Sequence, residues 1–468
     1  MATTVRTRPE SRRTARCARA FLNAVPPLLL ATTLFAEPYP PERSPWAQAE
    51  TAHPVRATGA GCSYSDWSAP HAIGGAPASA VTRPSLTVRD GRGFVVFNDI
   101  PSLDQDAPVS AHPLVALTLA GGSIGRPAGD FAFAFPRAVL DTAGTLHVVW
   151  AEPAGAPPRT AQEWNQLGTF TRTLKSLWYA AYDAADGWTA PEQIYLGRIL
   201  VWLFSSFTRD PAGRLHLAVM NTPELGVVGQ RLPPDLLVHL VRDRGSWRRG
   251  EVVMMSRTVA YTNVAATRDG HVYIAYIAAD KTVRADLGSV FLIRSLDGGA
   301  SWEPPRGVSR PGPPRRPVEV TPHATPDGAL HLVWSQNKSP LQGEFVQHAV
   351  SRDGGESWLP SAPLEPAGGF HTLRAVADRC GVLHATFMRW VTHPTSADEI
   401  VSELWYARRD TAWTTPWQPF PHLSVSTAAL AAAPNGSVHL FVSGRPVAAT
   451  GSTRYASMAS ELQLRGPR

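Results

Sequence analysis

The chain has 468 residues, 44% of them hydrophobic and only 18% charged, with 43 Pro, 37 Gly and 15 Trp. That composition points to many short strands joined by turns and away from a helical protein. The net charge of +6 arises partly from Arg6, Arg8, Arg12, Arg13, Arg16 and Arg19, and no basic tract in the body interleaves with aromatics, so no nucleic-acid partner is expected.

Residues 1–36 read as an export signal, an Arg-rich stretch followed by the apolar run Ala20–Ala36, too short and Pro-broken to span a membrane. No later segment could span one. The expected location is therefore secreted, periplasmic or cell-surface. Residues 37–61 are rich in Pro and Ala and read as a linker, leaving 62–468 as one domain. Cys17 leaves with the signal, and the remaining Cys62 and Cys380 could pair in an oxidising compartment or stay as buried thiols. No Cys/His spacing suits a zinc site, and neither a metal nor a cofactor is implied.

After residue 61 a pattern recurs: a turn with Asp or Asn and then Gly, followed by a strand of alternating apolar residues. Its turns begin at Asp90, Asp141, Asp210, Asp269, Asp327, Asp378 and Asn435, spaced by 51, 69, 59, 58, 51 and 57 residues. Between them runs a second module, an apolar strand, a polar turn and a Trp, as in Leu177–Ala180 with Trp188, Leu237–Leu240 with Trp247, and Leu404–Ala407 with Trp413. Each unit thus holds four strands, which is one propeller blade. The expected fold is all-β, a propeller of seven four-stranded blades, with six as the alternative if the unit at 81–125 is an irregular extension. Tyr64–Pro70 looks like an outer strand and Arg454–Ala459 like a third strand. Their pairing would close the ring and remove two exposed edges.

Two turns are nearly identical. Ser295-Leu296-Asp297-Gly298-Gly299-Ala300-Ser301-Trp302 returns 56 residues later as Ser351-Arg352-Asp353-Gly354-Gly355-Glu356-Ser357-Trp358. The octet resembles the Asp-box, or bacterial neuraminidase repeat, of sialidases and related propellers, Ser-x-Asp-x-Gly-x-Ser/Thr-Trp. Both copies match every fixed position. The resemblance implies a sialidase-like propeller with the boxes on the face away from the active site. Ser295, Asp297, Gly299, Ser301, Trp302 and Ser351, Asp353, Gly355, Ser357, Trp358 are then turn-makers.

His147, His216, His331, His384 and His439 occupy one position in five blades, which marks them as structural. Functional residues are those that break the repeat. Four residues before each turn Asp or Asn stand Leu86, Arg137, Ser206, Ala265, His323, Arg374 and Ala431. Arg137 and Arg374 are the first candidates for a channel-lining site, with Arg257, Arg315, Arg316, His323 and Tyr261 behind them. In sialidases an arginine cluster grips a substrate carboxylate, a task for planar bidentate donors. The Phe/Tyr-Arg-Ile-Pro motif that supplies that family's first arginine is absent. Asp130, Glu152, Glu163, Asp398 and Glu399 are entrance carboxylates without an assigned catalytic role. The loop 152–175, with Arg159 and Trp164, could form a lid or a sugar platform. The expectation is a secreted propeller that recognises glycans or another polar or anionic ligand at its channel mouth as a binding or scaffold protein. The alternative is an exo-acting glycoside hydrolase of the sialidase type.

Overall fold

The computed structural model describes most of the chain between residues 64 and 464, apart from 74–79, 101–113, 128–133, 155–173, 200–206, 222–234, 280–287, 310–315, 365–369, 447–457 and a few shorter gaps. These residues belong to one compact unit, 45–468. The signal and linker expected at 1–61 lie outside the described residues, as do Arg257 and the side chains of Arg315, Arg316, Asp130, Arg159, Glu163, Trp164, Asp398 and Glu399.

The described residues form seven antiparallel sheets. Their inner strands are Ala80–Arg89, Ala134–Leu140, Phe207–Arg209, Val259–Ala266, Arg316–Ala324, His371–Ala377 and Leu423–Ala432. Each packs beside the next, and the last packs beside the first, so the ring is closed. We number the blades 1 to 7 in this order. Blade 1 is the least regular, as its sequence is. Among the described residues blades 1 and 6 have three strands; the bridge Leu117–Ser123 in blade 1 and the bridges Tyr406–Trp417 and Arg409–Trp413 in blade 6 stand where the fourth would be.

The ring closes through the two ends of the chain, a few residues away from where the sequence suggests. His71–Ala72 pairs with Ser460 and Glu461 of the strand Met458–Leu464, completing blade 7. Tyr64 and Trp67 instead pack onto the junction of blades 6 and 7. Trp67 meets Tyr406 edge-on at 5.0 Å. The Tyr64 hydroxyl donates to Asp378, and the Arg408 guanidinium lies 5.0 Å over the Tyr64 ring. Cys380, two residues from Asp378, is disulfide-bonded. Cys62 lies outside the described residues.

The octets hold their turns with one carboxylate each. Asp297 Oδ1 accepts the amides of Ala300 and Ser301 at 3.0 and 2.8 Å. Ser295 Oγ donates to the same oxygen at 2.6 Å and accepts the Gly299 amide at 2.7 Å. Asp353 repeats this with the Ser357 amide at 2.9 Å and Ser351 Oγ at 2.7 Å. A Cβ on Gly299 would lie 2.5 Å from the His239 ring, so the turn needs glycine for its left-handed φ of 91° and for this approach.

The tryptophans then couple each blade to the one before it. Trp302 of blade 4 meets His239 of blade 3 at 5.0 Å, and Trp247 of blade 3 meets Tyr179 of blade 2 at 5.4 Å. Trp188 of blade 2 donates its indole N–H to Ile124 O of blade 1 at 2.9 Å.

The repeated histidines serve their own blades, as the sequence indicates. His147 and His384 bond the hydroxyls of Tyr179 and Tyr406 at 2.8 and 2.6 Å, and their other ring nitrogens face Asp141 and Asp378 at 3.3 and 3.2 Å. In blades 3 and 5 the partner is a second histidine: His216–His239 and His331–His348, both at 3.0 Å. His439 bonds Ser437 Oγ at 2.9 Å. Among the described residues no group of three His, Cys, Asp or Glu is placed to hold a metal.

Candidate functional site

Strand alternation assigns the two faces of the ring. The turn from inner to second strand and the octet turn from third to outer strand lie at one end of each blade. The inner strands begin at the other end, nearer Tyr261 and Glu319, and we call this end of the channel the mouth. Asp297 and Asp353 therefore stand on the face away from the mouth, as expected of turn-makers.

Near the mouth the inner strands of blades 2, 4, 5 and 6 carry a register shift, between Ala134 and Arg137, Ala260 and Asn263, Val318 and Thr321, and His371 and Leu373. At each shift one residue is left-handed: Phe135, Tyr261, Glu319 and Thr372, with φ of 53°, 52°, 55° and 55°. For residues with a Cβ this costs about 1–2 kcal/mol each. Such strain persists where the surroundings over-determine it, commonly at ligand sites. Bulges of this kind re-aim the side chains around them.

The register also corrects the alignment of the channel positions. Arg137 pairs with Val149 and Arg374 with Thr386, in each case two residues past the blade's repeated histidine. By the same pairing their equivalents are Asn263 opposite Ala275, Thr321 opposite Val333, Ala429 opposite Phe441 and Ser85 opposite Val96. Ala265, His323 and Ala431 stand two residues deeper, and Leu86 one. The reason lies in the turns. Those of blades 4, 5 and 7 open on Thr267, Thr325 and Ala433, and their Asp or Asn comes two residues later. The constant feature is the left-handed glycine, Gly144, Gly213, Gly270, Gly328, Gly381 and Gly436. Anchoring on glycine would have placed the channel residues correctly and would have exposed Glu319, which anchoring on the acid misses.

One cavity of about 390 Å³ in the channel is lined by Arg137, Arg374, Tyr261, Glu319, His323 and Asn263, among others. The structure thus brings Arg137, Arg374, Tyr261 and His323, four of the seven sequence candidates, to one space; the other three lie outside the described side chains. The Glu319 carboxylate accepts the Leu373 amide at 2.6 Å and lies 3.6 Å from Arg374 Nη1. Arg374 Nη1 also donates to Leu373 O at 2.7 Å, and Arg137 Nη1 donates likewise to Pro136 O at 2.8 Å. Each guanidinium thus donates a bond back to the backbone of its own strand. Asn263 is fixed by its Nδ2 on Val320 O at 2.6 Å. Deeper in, burial pushes His323 down to about 3, helped by the nearby His331, so its ring is neutral. Its Nε2 has no hydrogen-bond partner among the described residues.

Glu152 is not an entrance-loop carboxylate. It is 9% exposed on the second strand of blade 2, and burial raises it well above the ordinary carboxylate range.

The channel can therefore present two planar cations, one carboxylate, a phenol and a neutral imidazole to a small polar guest. Pockets of this size take ligands of a few rings.

No family model and no curated protein matches the chain. Among solved structures it is similar to a protein of unknown function from Dyadobacter fermentans, at 14% identity and a TM-score of 0.44, over 83% of this chain and all of that one. It is also similar to a polysaccharide lyase at 12% identity and 0.48, over 89% and 94%. A third similarity is to the intramolecular trans-sialidase of Ruminococcus gnavus, at 10% and 0.40, over 84% and 96%.

Proposed function

We propose that the channel mouth binds an acidic glycan, or another small anionic ligand, and that the protein acts outside the cytoplasm as a binding or scaffold propeller. The observation that carries this reading is the ring level shared by Arg137 and Arg374. The equivalent positions hold Ser85, Asn263, Thr321 and Ala429, so two guanidinium groups stand at a level otherwise held by small or neutral side chains, in a cavity that Glu319 also lines. Planar donors at a channel mouth suit a carboxylate or sulfate. The Glu319 carboxylate offsets the charge of Arg374, and an entering anion replaces it as partner. The disulfide at Cys380 supports an oxidising compartment.

A second reading is glycoside cleavage, and one feature favours it. Tyr261 and Glu319 occupy the same left-handed position on adjacent blades and line the same cavity. A phenol and a carboxylate so placed have the chemistry of a nucleophile and its base.

One experiment separates the two. Purified protein is tested for binding on an acidic glycan panel and for turnover of a fluorogenic sialoside and other aryl glycosides, with Arg374→Ala as control. Binding without turnover, lost in Arg374→Ala, is the expected result. Turnover abolished by Tyr261→Phe would transfer the site to the second reading. Unchanged binding by Arg374→Ala would remove the channel from both.

A further inference from the structure

Blade 6, which carries Arg374, has the longest strands among the described residues, Leu383–His393 and Ser396–Arg409, of 11 and 14 residues. Among the described residues its inner strand pairs with this hairpin from Ala377 opposite Leu383 to His371 opposite Met388. The hairpin itself continues through Arg389–Glu403, Trp390–Ser402, Val391–Val401 and Thr392–Ile400. Trp390 thus lies two residues nearer the mouth end than Met388.

The Trp390 side chain is 56% exposed, more than any other large apolar side chain described. Below it on the same face, Met388 and Leu404 are buried between blades 6 and 7, so the indole sits where an apolar seam emerges at the rim. The support is stiff. On the opposite face the Arg389 guanidinium lies 5.2 Å over the Trp405 ring, and Trp405 Nε1 donates to Glu403 at 3.0 Å. The Ser402 amide donates to Ser424 Oγ of blade 7 at 3.2 Å, tying the hairpin to the next blade.

Resting on the channel reading, we infer that Trp390 is a second contact for an extended acidic oligosaccharide whose charged unit is held at Arg374. Arg374 pairs with Thr386, four residues below Trp390. At about 3.3 Å per residue the two contacts are separated by roughly 13 Å along the strand, more than one sugar ring. A single flat indole beside its cross-strand partner Ser402 matches the C–H face of a pyranose, whose hydroxyls then meet this polar neighbour. It is too small a patch for a protein partner, whose interface would need a wider apolar core. The ligand class is accordingly an acidic chain of two or more units, not a free monosaccharide.

The test measures affinity for galacturonic acid and its oligomers up to eight units, and for sialic acid and sialyl-oligosaccharides, by calorimetry. The proteins are the full chain, Trp390→Ala, Trp390→Phe and Arg374→Ala. Trp390→Ala should bind longer chains roughly tenfold more weakly with the monosaccharide affinity unchanged, and Trp390→Phe should recover most of the loss. Its unfolding midpoint should match the parent because the ring is exposed. Equal affinities of Trp390→Ala and the parent at every length would overturn the inference while leaving the channel reading intact. So would a loss equal for monosaccharide and oligomer. No binding of any acidic glycan by the parent chain would overturn the channel reading and this inference together.

Discussion

Glu319 accepts the backbone amide of Leu373 at 2.6 Å while its carboxylate lies 3.6 Å from the Arg374 guanidinium. One carboxylate of blade 5 thus fixes both the strand entrance and the cation of blade 6. An anion entering the channel competes with Glu319 for Arg374. Both side chains are about a third exposed, at 32% and 28%, so the pair contributes at most about 1 kcal/mol. Glu319→Gln keeps an acceptor for the Leu373 amide and removes the competing charge. Affinity for an acidic oligosaccharide should rise by up to about fivefold, whereas Arg374→Ala should lower it. Titration at two salt concentrations checks the sign, since the gain should shrink at higher salt.

The octet aspartates should matter for stability and not for binding. Asp297→Ala or Asp353→Ala removes acceptors from turn amides and hydroxyls, with an expected loss of about 1–2 kcal/mol each. Urea unfolding reads the loss, and glycan affinity should stay within error. The pH dependence has a definite sign. Burial alone would raise Asp353, but hydrogen bonds from Ser357 and Ser351 bring it down to about 2. Its contribution is therefore fully present above the ordinary carboxylate value and is lost as pH falls towards 2.

The buried histidine pairs act at higher pH. Burial first, and then neighbouring positive groups, push His331 down to about 4 and His239 to about 3, from an ordinary value of 6.5. Between those values and 6.5 the unfolded chain holds more protons than the folded one. Stability should therefore fall as pH drops below 6.5, by up to about 1.4 kcal/mol per pH unit for each histidine, and level off below the folded values. Replacing His331 and His348 together with Phe removes both partners at once. It should flatten the profile of unfolding free energy between pH 7 and 5, and an unchanged slope would refute the assignment.

Trp247→Ala removes an indole that bridges blades 2 and 3 through Tyr179 and Phe207. The side chain is partly buried, so the expected loss is about 2–3 kcal/mol, measured by urea unfolding.

Tyr64→Phe tests how the ring is held shut. Burial first and Asp378 second raise the phenol above its ordinary value, so the hydroxyl stays protonated and donates. Its removal should cost about 1–2 kcal/mol, because Asp378 keeps His384 and the Val382 amide. Reduction of the Cys380 disulfide should lower the thermal midpoint as well.

The blade pattern was legible because it is local. Each Gly turn, each period-two strand and each octet lies within about ten residues of chain, and repetition multiplies a weak signal. The structural role of the five histidines followed from the same repetition. Arg137 and Arg374 were legible as breaks in the pattern. Glu319 was not, since an acid-anchored alignment shifts blades 4, 5 and 7 by two residues. Trp390 was not singled out, because nothing local tells which strand aromatic ends exposed at the rim.

The sequence by itself determined the all-β class, the four-stranded repeat, the turn chemistry of Asp297 and Asp353, and the two arginines worth examining. Only the tertiary structure decided which residues share a level in the channel and where His71–Ala72 closes the ring. It alone placed Glu319 against Arg374 and left Trp390 exposed at the rim. The physical reason is register. Turn and strand preferences act between near neighbours, whereas bulges and cross-blade pairings are set by packing between segments tens to hundreds of residues apart.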